Sequence, residues 1–174
     1  MRKGKLNNSQ RQVVLAELPA LRRFCMSLAG EAADADDLLQ ATIERLLTKG
    51  MPGDAHPGKW VFRVCKNIWI DELRFREVRV RMAHMAVEDP DRTVSPEQAA
   101  AGELQARAVM LALTQLPEEQ RMALSLVAIE GKSYAEAAEI MQIPVGTIMS
   151  RIARARKALA QTVAVDTDDE TTEQ

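Results

Sequence analysis

The chain has 174 residues and a formal net charge of −2, and although 47% of it is hydrophobic only 3% is aromatic. That length admits one domain or two small ones, and the Ala-, Leu- and Met-rich composition favours helices over strands. No apolar run approaches the ~20 residues that span a bilayer, and the basic start Met1–Lys5 leads into polar Asn7-Asn8-Ser9-Gln10, not a signal-peptide core, so the expected location is the cytoplasm, without membrane insertion.

Residues 1–8 read as loose. A helix is expected from Ser9, with Val13, Val14 and Leu18 apolar. Pro19 opens or kinks a second segment through Leu28, and Gly30 stops it. Glu31, Asp34, Asp36 and Asp37 then gather at the front of the next helix, where its dipole favours acids. That helix runs to about Thr48. Asp37, Gln40 and Glu44 project at i, i+3, i+7, while Leu39, Ile43 and Leu46 continue an apolar face. By itself this pattern fits an ordinary amphipathic surface helix. The stretch Gly50–Gly58, with two prolines and three glycines, is expected to form a loop.

A long helix over about Lys59–Met82 follows. It interleaves Trp60, Phe62, Trp69 and Phe75 with Arg63, Lys66, Arg74, Arg76 and Arg79. Stacking surfaces alternating with cations are what unpaired bases and their phosphates require. Trp60 and Val64 read as core, whereas Asn67, polar and mid-helix, is placed to hydrogen-bond a base edge. Ala86–Val94 lacks helical periodicity and reads as a linker. Ser95-Pro-Glu-Gln98 is a capping signature for a helix to about Thr114, and a further helix spans about Pro117–Ala128.

Ser133–Lys157 reads as two short helices joined by a tight turn. Ser133 and Glu136 form a capping box, Ala135, Ala138, Ile140 and Met141 make an apolar stripe, and Gln142-Ile143-Pro144 interrupts. Val145, Ile148 and Ile152 are expected to face the first helix, leaving Thr147, Ser150, Arg151 and Arg154 outward. A helix with a small-polar and arginine face behind such a turn suits a DNA-reading helix-turn-helix; a helical hairpin with a solvated basic face has the same pattern. The last ten residues carry five acids and no base, and without them the net charge becomes +3. This tail reads as disordered, and the bases it offsets concentrate in 59–81 and 151–157, where a phosphate-binding surface needs them.

The stretch from Leu116 to Leu159, beginning LPEEQRMALSLVAIEGKSYAEAAEIMQIPVGTIMSRIARARKAL, resembles the C-terminal DNA-binding domain of bacterial sigma factors of the extracytoplasmic-function (ECF) class. DADDLLQATIERLL (34–47) and WVFRVCKNIWIDELR (60–74) resemble that family's polymerase-docking and promoter-melting helices, in order. The resemblance implies an all-α fold of two small helical bundles joined by a flexible linker. Residues 1–85 would bind core polymerase and recognise and melt the -10 element, 86–95 would link, 96–163 would read the -35 element, and 164–174 would be the disordered tail.

It further implies that Asp37, Leu38, Gln40, Ile43, Glu44 and Leu47 meet the clamp helices of the largest subunit of core RNA polymerase. The family's usual Glu after Gln is Ala41 here. Lys59, Arg63, Lys66, Asn67, Ile70 and Arg74, with loop residues Asp54 and His56, would hold -10 promoter DNA. Thr147, Met149, Ser150, Arg151, Ala153 and Arg154 would face the -35 element. Relatives often carry a base at position 149 and a larger side chain at 153, so this chain should lean more on apolar contact and DNA shape. An anti-sigma factor is the expected controlling partner.

Catalytic motifs are absent from the sequence, with no nucleophile–base pair and no phosphate loop. Cys25, Cys65, His56 and His84 lack metal-ligand spacing, so no cofactor, metal or enzymatic activity is expected. The two cysteines read as buried reduced thiols, with a redox pair as the alternative. Two other readings compete with a sigma factor. One is a sigma-like decoy that sequesters an anti-sigma factor, and such decoys lose the basic residues this chain keeps. The other is a plain helix-turn-helix regulator, which leaves 34–74 unexplained.

Overall fold

The computed structural model describes residues 5–83 and 101–169. Every regular element among them is helical: α1 (Asn8–Ala29), α2 (Ala32–Lys49), α3 (Pro57–Ala83), α4 (Ala101–Thr114), α5 (Glu118–Leu124), α6 (Tyr134–Met141) and α7 (Val145–Asp169), with a π-helical turn Ser125–Ile129 continuing α5. None of these helices is long and apolar enough to cross a membrane.

α1 starts earlier than expected because Asn7, not Ser9, caps it. Asn7 Oδ1 accepts from the Gln10 N–H at 2.8 Å, and Gln10 Oε1 accepts from the Asn7 N–H at 3.0 Å. Pro19 lies inside the helix without dividing it. The carbonyl it cannot satisfy belongs to Leu15, an exposed position open to solvent. Gly30 ends the helix with φ 79°, a left-handed conformation, and its N–H donates to the Met26 carbonyl at 2.9 Å. A Cβ there would also sit 2.6 Å from Thr114 Cγ2, so only glycine lets α4 approach.

In α2 the buried stripe is Ala35, Leu38, Thr42 and Leu46, rotated from the expected Leu39–Ile43–Leu46 face; Leu39 and Ile43 are half-buried beside it. Thr42 tolerates complete burial because its hydroxyl donates to the Leu38 carbonyl at 2.7 Å. α3 begins at Pro57, two residues inside the expected loop, where proline suits a first helical turn.

The first bundle, α1–α3, closes on Leu21, Phe24, Leu28, Val61, Phe62 and Cys65, all fully buried. Phe24 and Phe62 meet edge-on with centroids 5.5 Å apart. Burying one such ring contributes about 1.5–3 kcal/mol. Cys25 and Cys65 Sγ lie 3.6 Å apart as free thiols. Their mutual hydrogen bond and then burial push the Cys65 thiol well above its ordinary value, which keeps it protonated and unreactive.

The second bundle, α4–α7, buries Leu113, Leu116, Met122, Leu126, Ile140, Ile148, Ile152 and Ala155. Both bundles share one hydrophobic cluster, with α4 and α5 lying on α1, and α6 on α3. The expected helix over 117–128 changes character at Ser125, where the π-turn hands Leu126 to the core and directs Glu130 back toward α1. α7 runs to Asp169, so the part of the expected disordered tail up to that residue is helical. Ala158–Ala164 is rich in helix formers, and no Gly or Pro follows to stop it. The expected linker, the Ser95 capping signature and the last five residues lie outside the described residues.

Candidate nucleic-acid and polymerase interfaces

The residues of the three expected sites lie on α2, on α3 with the loop before it, and on α7. On α2, Asp37, Gln40, Glu44 and Leu47 are exposed, and Gln40 Nε2 donates to Glu44 Oε1 at 3.1 Å, so they form one continuous polar-apolar ridge. Ile43 is half-buried at its edge. Leu38 departs from expectation: it is only 6% exposed and supports the ridge from beneath, because its position shares the stripe of Ala35 and Thr42.

On α3, Asn67 and Arg74 are exposed, and Ile70 is half-buried. Arg74 lies 3.7 Å from Asp71 within its own helix. Asp54 and His56 are exposed on the preceding loop, where His56 Nδ1 accepts from the Lys59 N–H at 3.4 Å and helps start α3. A cavity of about 230 Å³ opens between α2 and α3, lined by Arg45, Lys49, Gly50, Trp60, Val64 and Asn67. Trp60 and Val64, expected as core, therefore also line an opening. Arg45 and Lys49 were not anticipated as part of it, although their i, i+4 spacing on the last turn of α2 places two cations on one side.

Lys59, Arg63 and Lys66 occupy the same stripe of α3 at i, i+4, i+7 but face the second bundle. Lys59 Nζ donates to Glu139 Oε2 at 2.6 Å, Arg63 Nη2 to the Glu139 carbonyl at 2.7 Å, and Lys66 Nζ to the Met141 carbonyl at 3.5 Å. Lys66 is 7% exposed, and burial first, then the Arg63 cation, lowers its pKa. Its expected availability to DNA is not seen in this arrangement, because the end of α6 covers it.

In the helix-turn-helix, the capping box at the start of α6 is present: Ser133 Oγ accepts from the Glu136 N–H at 3.1 Å and Glu136 Oε2 from the Ser133 N–H at 2.8 Å. Those bonds lower the Glu136 pKa. Gln142 caps the end of α6 with φ 58°, and α7 follows from Val145. Ile148 and Ile152 pack inward as expected, joined by Ala155, whereas Val145, in the first turn of α7, is 41% exposed on the rim of a groove it shares with Ala138 and Glu139 of α6. Met149, Ser150, Ala153 and Arg154 are exposed, and Thr147 is half-buried with its carbonyl accepting from Ser150 Oγ at 3.0 Å. Arg151 does not stand free: Nη2 lies 2.6 Å from Glu119 Oε2 on α5, and its side chain is 16% exposed.

Polar contacts also lock the two bundles together. Arg23 Nη2 donates to Glu130 Oε2 at 2.8 Å, Lys132 Nζ to Glu17 Oε2 at 3.3 Å, and Trp69 Nε1 to Glu118 Oε1. The buried Arg121 donates to the Leu28 carbonyl at 2.5 Å and to the Thr114 and Leu116 carbonyls at 3.0 and 3.3 Å. Burial raises the pKa of Glu118 and of Glu130 against the lowering effect of these partners. Sequence reasoning missed this set, since its charged members read as surface charges, and Trp69 as a stacking surface, until the bundles are brought together. Among the described residues no three His, Cys, Asp or Glu side chains form a group that could hold a metal ion.

Comparison with known proteins matches the same regions. Residues 106–159 match the family model of sigma-70 region 4, and residues 14–66 that of the sigma2 domain of PhyR. The chain is 38% identical to the ECF RNA polymerase sigma factor EcfG of Rhodopseudomonas palustris, covering 92% of this chain and 88% of the relative. It is 34% identical to the RNA polymerase sigma-H factor of Pseudomonas aeruginosa, over 74% and 72% of the two chains. Among solved structures, the sigma factor RpoE of Bartonella quintana, in complex with the anti-sigma factor NepR, superposes with a TM-score of 0.75 at 31% identity, over 92% of this chain and 99% of that one.

Proposed function

This chain belongs to the ECF class of bacterial sigma factors, and from that premise we propose that it binds core RNA polymerase and directs it to specific promoters. The α2 ridge of Asp37, Gln40, Glu44 and Leu47, supported by Ile43 and Leu38, is the docking surface for the clamp helices. The α3 face holds the -10 element. Asn67 and Arg74, with Asp54 and His56 on the loop, contact the opened strand, and Lys59, Arg63, Lys66 and Ile70 join them when α6 is not on that face. The cavity at Asn67 suits one unpaired base, with Trp60 as its stacking wall and Arg45 and Lys49 for the adjoining phosphates. On α7, Arg154 is the base reader, Met149 and Ala153 give apolar contact, and Thr147 and Ser150 position the helix. Arg151 contributes from its bridge to Glu119. No step requires catalysis by this chain, because strand opening draws on binding energy. An anti-sigma factor controls it, as the RpoE–NepR complex suggests by analogy.

The observation that carries this reading is the exposed face Met149–Ser150–Ala153–Arg154, set on the second helix of a capped helix-turn-helix in the same chain as the α2 ridge. Core polymerase reconstituted with the chain should start transcripts from a pool of genomic DNA, and run-off mapping should reveal shared -35 and -10 elements. Transcripts no different from those of core polymerase alone would sink the proposal. The match of residues 14–66 to the PhyR sigma2 domain favours the decoy as the second reading. A decoy would bind an anti-sigma factor and yet leave that transcription assay blank.

A further inference from the structure

Three of the four α3 cations that should grip a DNA strand are bound to something else. Lys59, Arg63 and Lys66 meet, in order, the Glu139 carboxylate, the Glu139 carbonyl and the Met141 carbonyl, at 2.6, 2.7 and 3.5 Å. All three acceptors lie in the last turn of α6. The end of a helix presents carbonyls without intrahelical partners and the negative pole of its dipole. Adding the Glu139 carboxylate makes an acceptor-only, anionic strip, which is also the chemistry of a phosphodiester backbone.

We propose that the end of α6 is an internal substitute for the promoter strand: in the free chain it occupies the cationic stripe Lys59–Arg63–Lys66 and excludes single-stranded DNA from it. The proposal rests on the α3 face being the strand-holding surface. The two occupants are mutually exclusive, because Lys66 is 7% exposed and the Lys59 side chain 26% exposed with α6 in place. The substitute is held by contacts on either side of it, Lys132–Glu17 and Arg23–Glu130 toward α1 and Trp69–Glu118 farther along α3. The cover is partial. Asn67 and Arg74 remain exposed on the same helix, so α6 closes one face of α3 as far as Lys66 while the face bearing Asn67 and Arg74 stays open. Opening therefore requires the helix-turn-helix to leave α3 as a unit, which couples access to the -10 surface to the position of the -35 reader.

Two measurements on the full-length free chain test this. A zero-length carbodiimide should join Lys59 to Glu139 in the free chain, read by mass spectrometry of the linked peptides, and saturating single-stranded oligonucleotide should suppress that link. Failure to form the link, or its persistence at saturating oligonucleotide, overturns the proposal. Anisotropy with a labelled mixed-sequence 20-mer should show Glu139→Gln binding about two- to fivefold tighter than wild type, the range an exposed ion pair supports. Glu31→Gln, which removes the same charge from an exposed position at the start of α2, should stay at the wild-type value. Equal tightening in both variants, or none in Glu139→Gln, refutes the substitution of α6 for the strand. Holoenzyme carrying Lys59→Ala and Arg63→Ala separates the two layers. Unimpaired transcription there would discard the strand-holding role itself, whereas impaired transcription there, with no Lys59–Glu139 link in the wild-type free chain, would discard only the internal cover.

Discussion

The two DNA-facing helices are in opposite conditions. α7 shows Met149, Ser150, Ala153 and Arg154 to solvent, whereas Lys59, Arg63 and Lys66 of α3 are held by the C-terminal end of α6. Their local sequences are alike, each a basic stripe on an amphipathic helix. What separates them is what lies opposite. α7 packs inward through Ile148, Ile152 and Ala155 and leaves its far side bare, while α3 is long enough to form the core of one bundle and the wall of the other. A basic stripe therefore identifies a surface that binds acceptors without identifying which acceptor holds it.

The largest expected effect concerns the contact that makes the two bundles one body. Arg121→Met removes a buried guanidinium and strands carbonyls of Leu28, Thr114 and Leu116. It should cost about 3 kcal/mol or more in urea unfolding, since each buried unsatisfied group costs about 1–3 kcal/mol. A loss below about 1 kcal/mol would mean that the bundles hold together without it, and the contrast between the helices would need another cause.

A smaller effect sharpens the contrast within α7. Arg154→Ala should lose about 1–3 kcal/mol of binding at one -35 base pair and relax preference there. Arg151→Ala should weaken all promoters alike, because Arg151 is tied to Glu119 and acts through the bundle surface. Binding across a -35 substitution library at two salt concentrations separates them. Uniform loss for Arg154→Ala would remove its role as the base reader.

The smallest effect is a pH response of opposite sign in the two regions. Burial raises Glu118, faced by Trp69 and Arg121, and Glu130, faced by Arg23, Lys132 and Glu17, above the ordinary value of 4.5. Their contribution favours the packed bundles fully below that value and is lost as pH rises through the raised ones. Glu136 is lowered by its bonds to Ser133, so its support of α6 is present above 4.5 and lost as pH falls through its lowered value. Urea midpoints should therefore gain less on acidifying from about pH 7 to about pH 5 in the double variant Glu118→Gln, Glu130→Gln than in wild type. An identical pH slope would deny these carboxyls any part in the packing.

Much of this arrangement is legible in the sequence, and the failures have physical causes. Capping boxes, Gly30 as a stop and the Ile148–Ile152 stripe depend on neighbours within a few residues, and the structure contains them. α1 starts before Ser9 because Asn7 competes with it as a cap, and Pro19 leaves the helix whole because its missing bond falls at an exposed residue. Leu38, which the resemblance places at the polymerase contact, is buried beneath the ridge, on a stripe that the polar look of Thr42 hides until its hydroxyl finds the Leu38 carbonyl. Lys66 and Arg151 read as outward cations in the sequence, and their partners, Met141 and Glu119, lie 75 and 32 residues away. Short-range rules cannot assign such pairs.

Gln142 carries a consequence of a different kind. A non-glycine residue at φ 58° bears a steric penalty of about 1–2 kcal/mol, which glycine would avoid. Glycine would also widen the range of torsions open to the turn. With a side chain present, the left-handed well is narrow, and the neighbouring Pro144 restricts the chain further. The stiff joint of three residues thus adds to the packing of Ile148 and Ile152 in fixing the axis of α7 relative to α6. The helix-turn-helix can then swing away from α3 as a rigid lever without losing the aim of its reading edge.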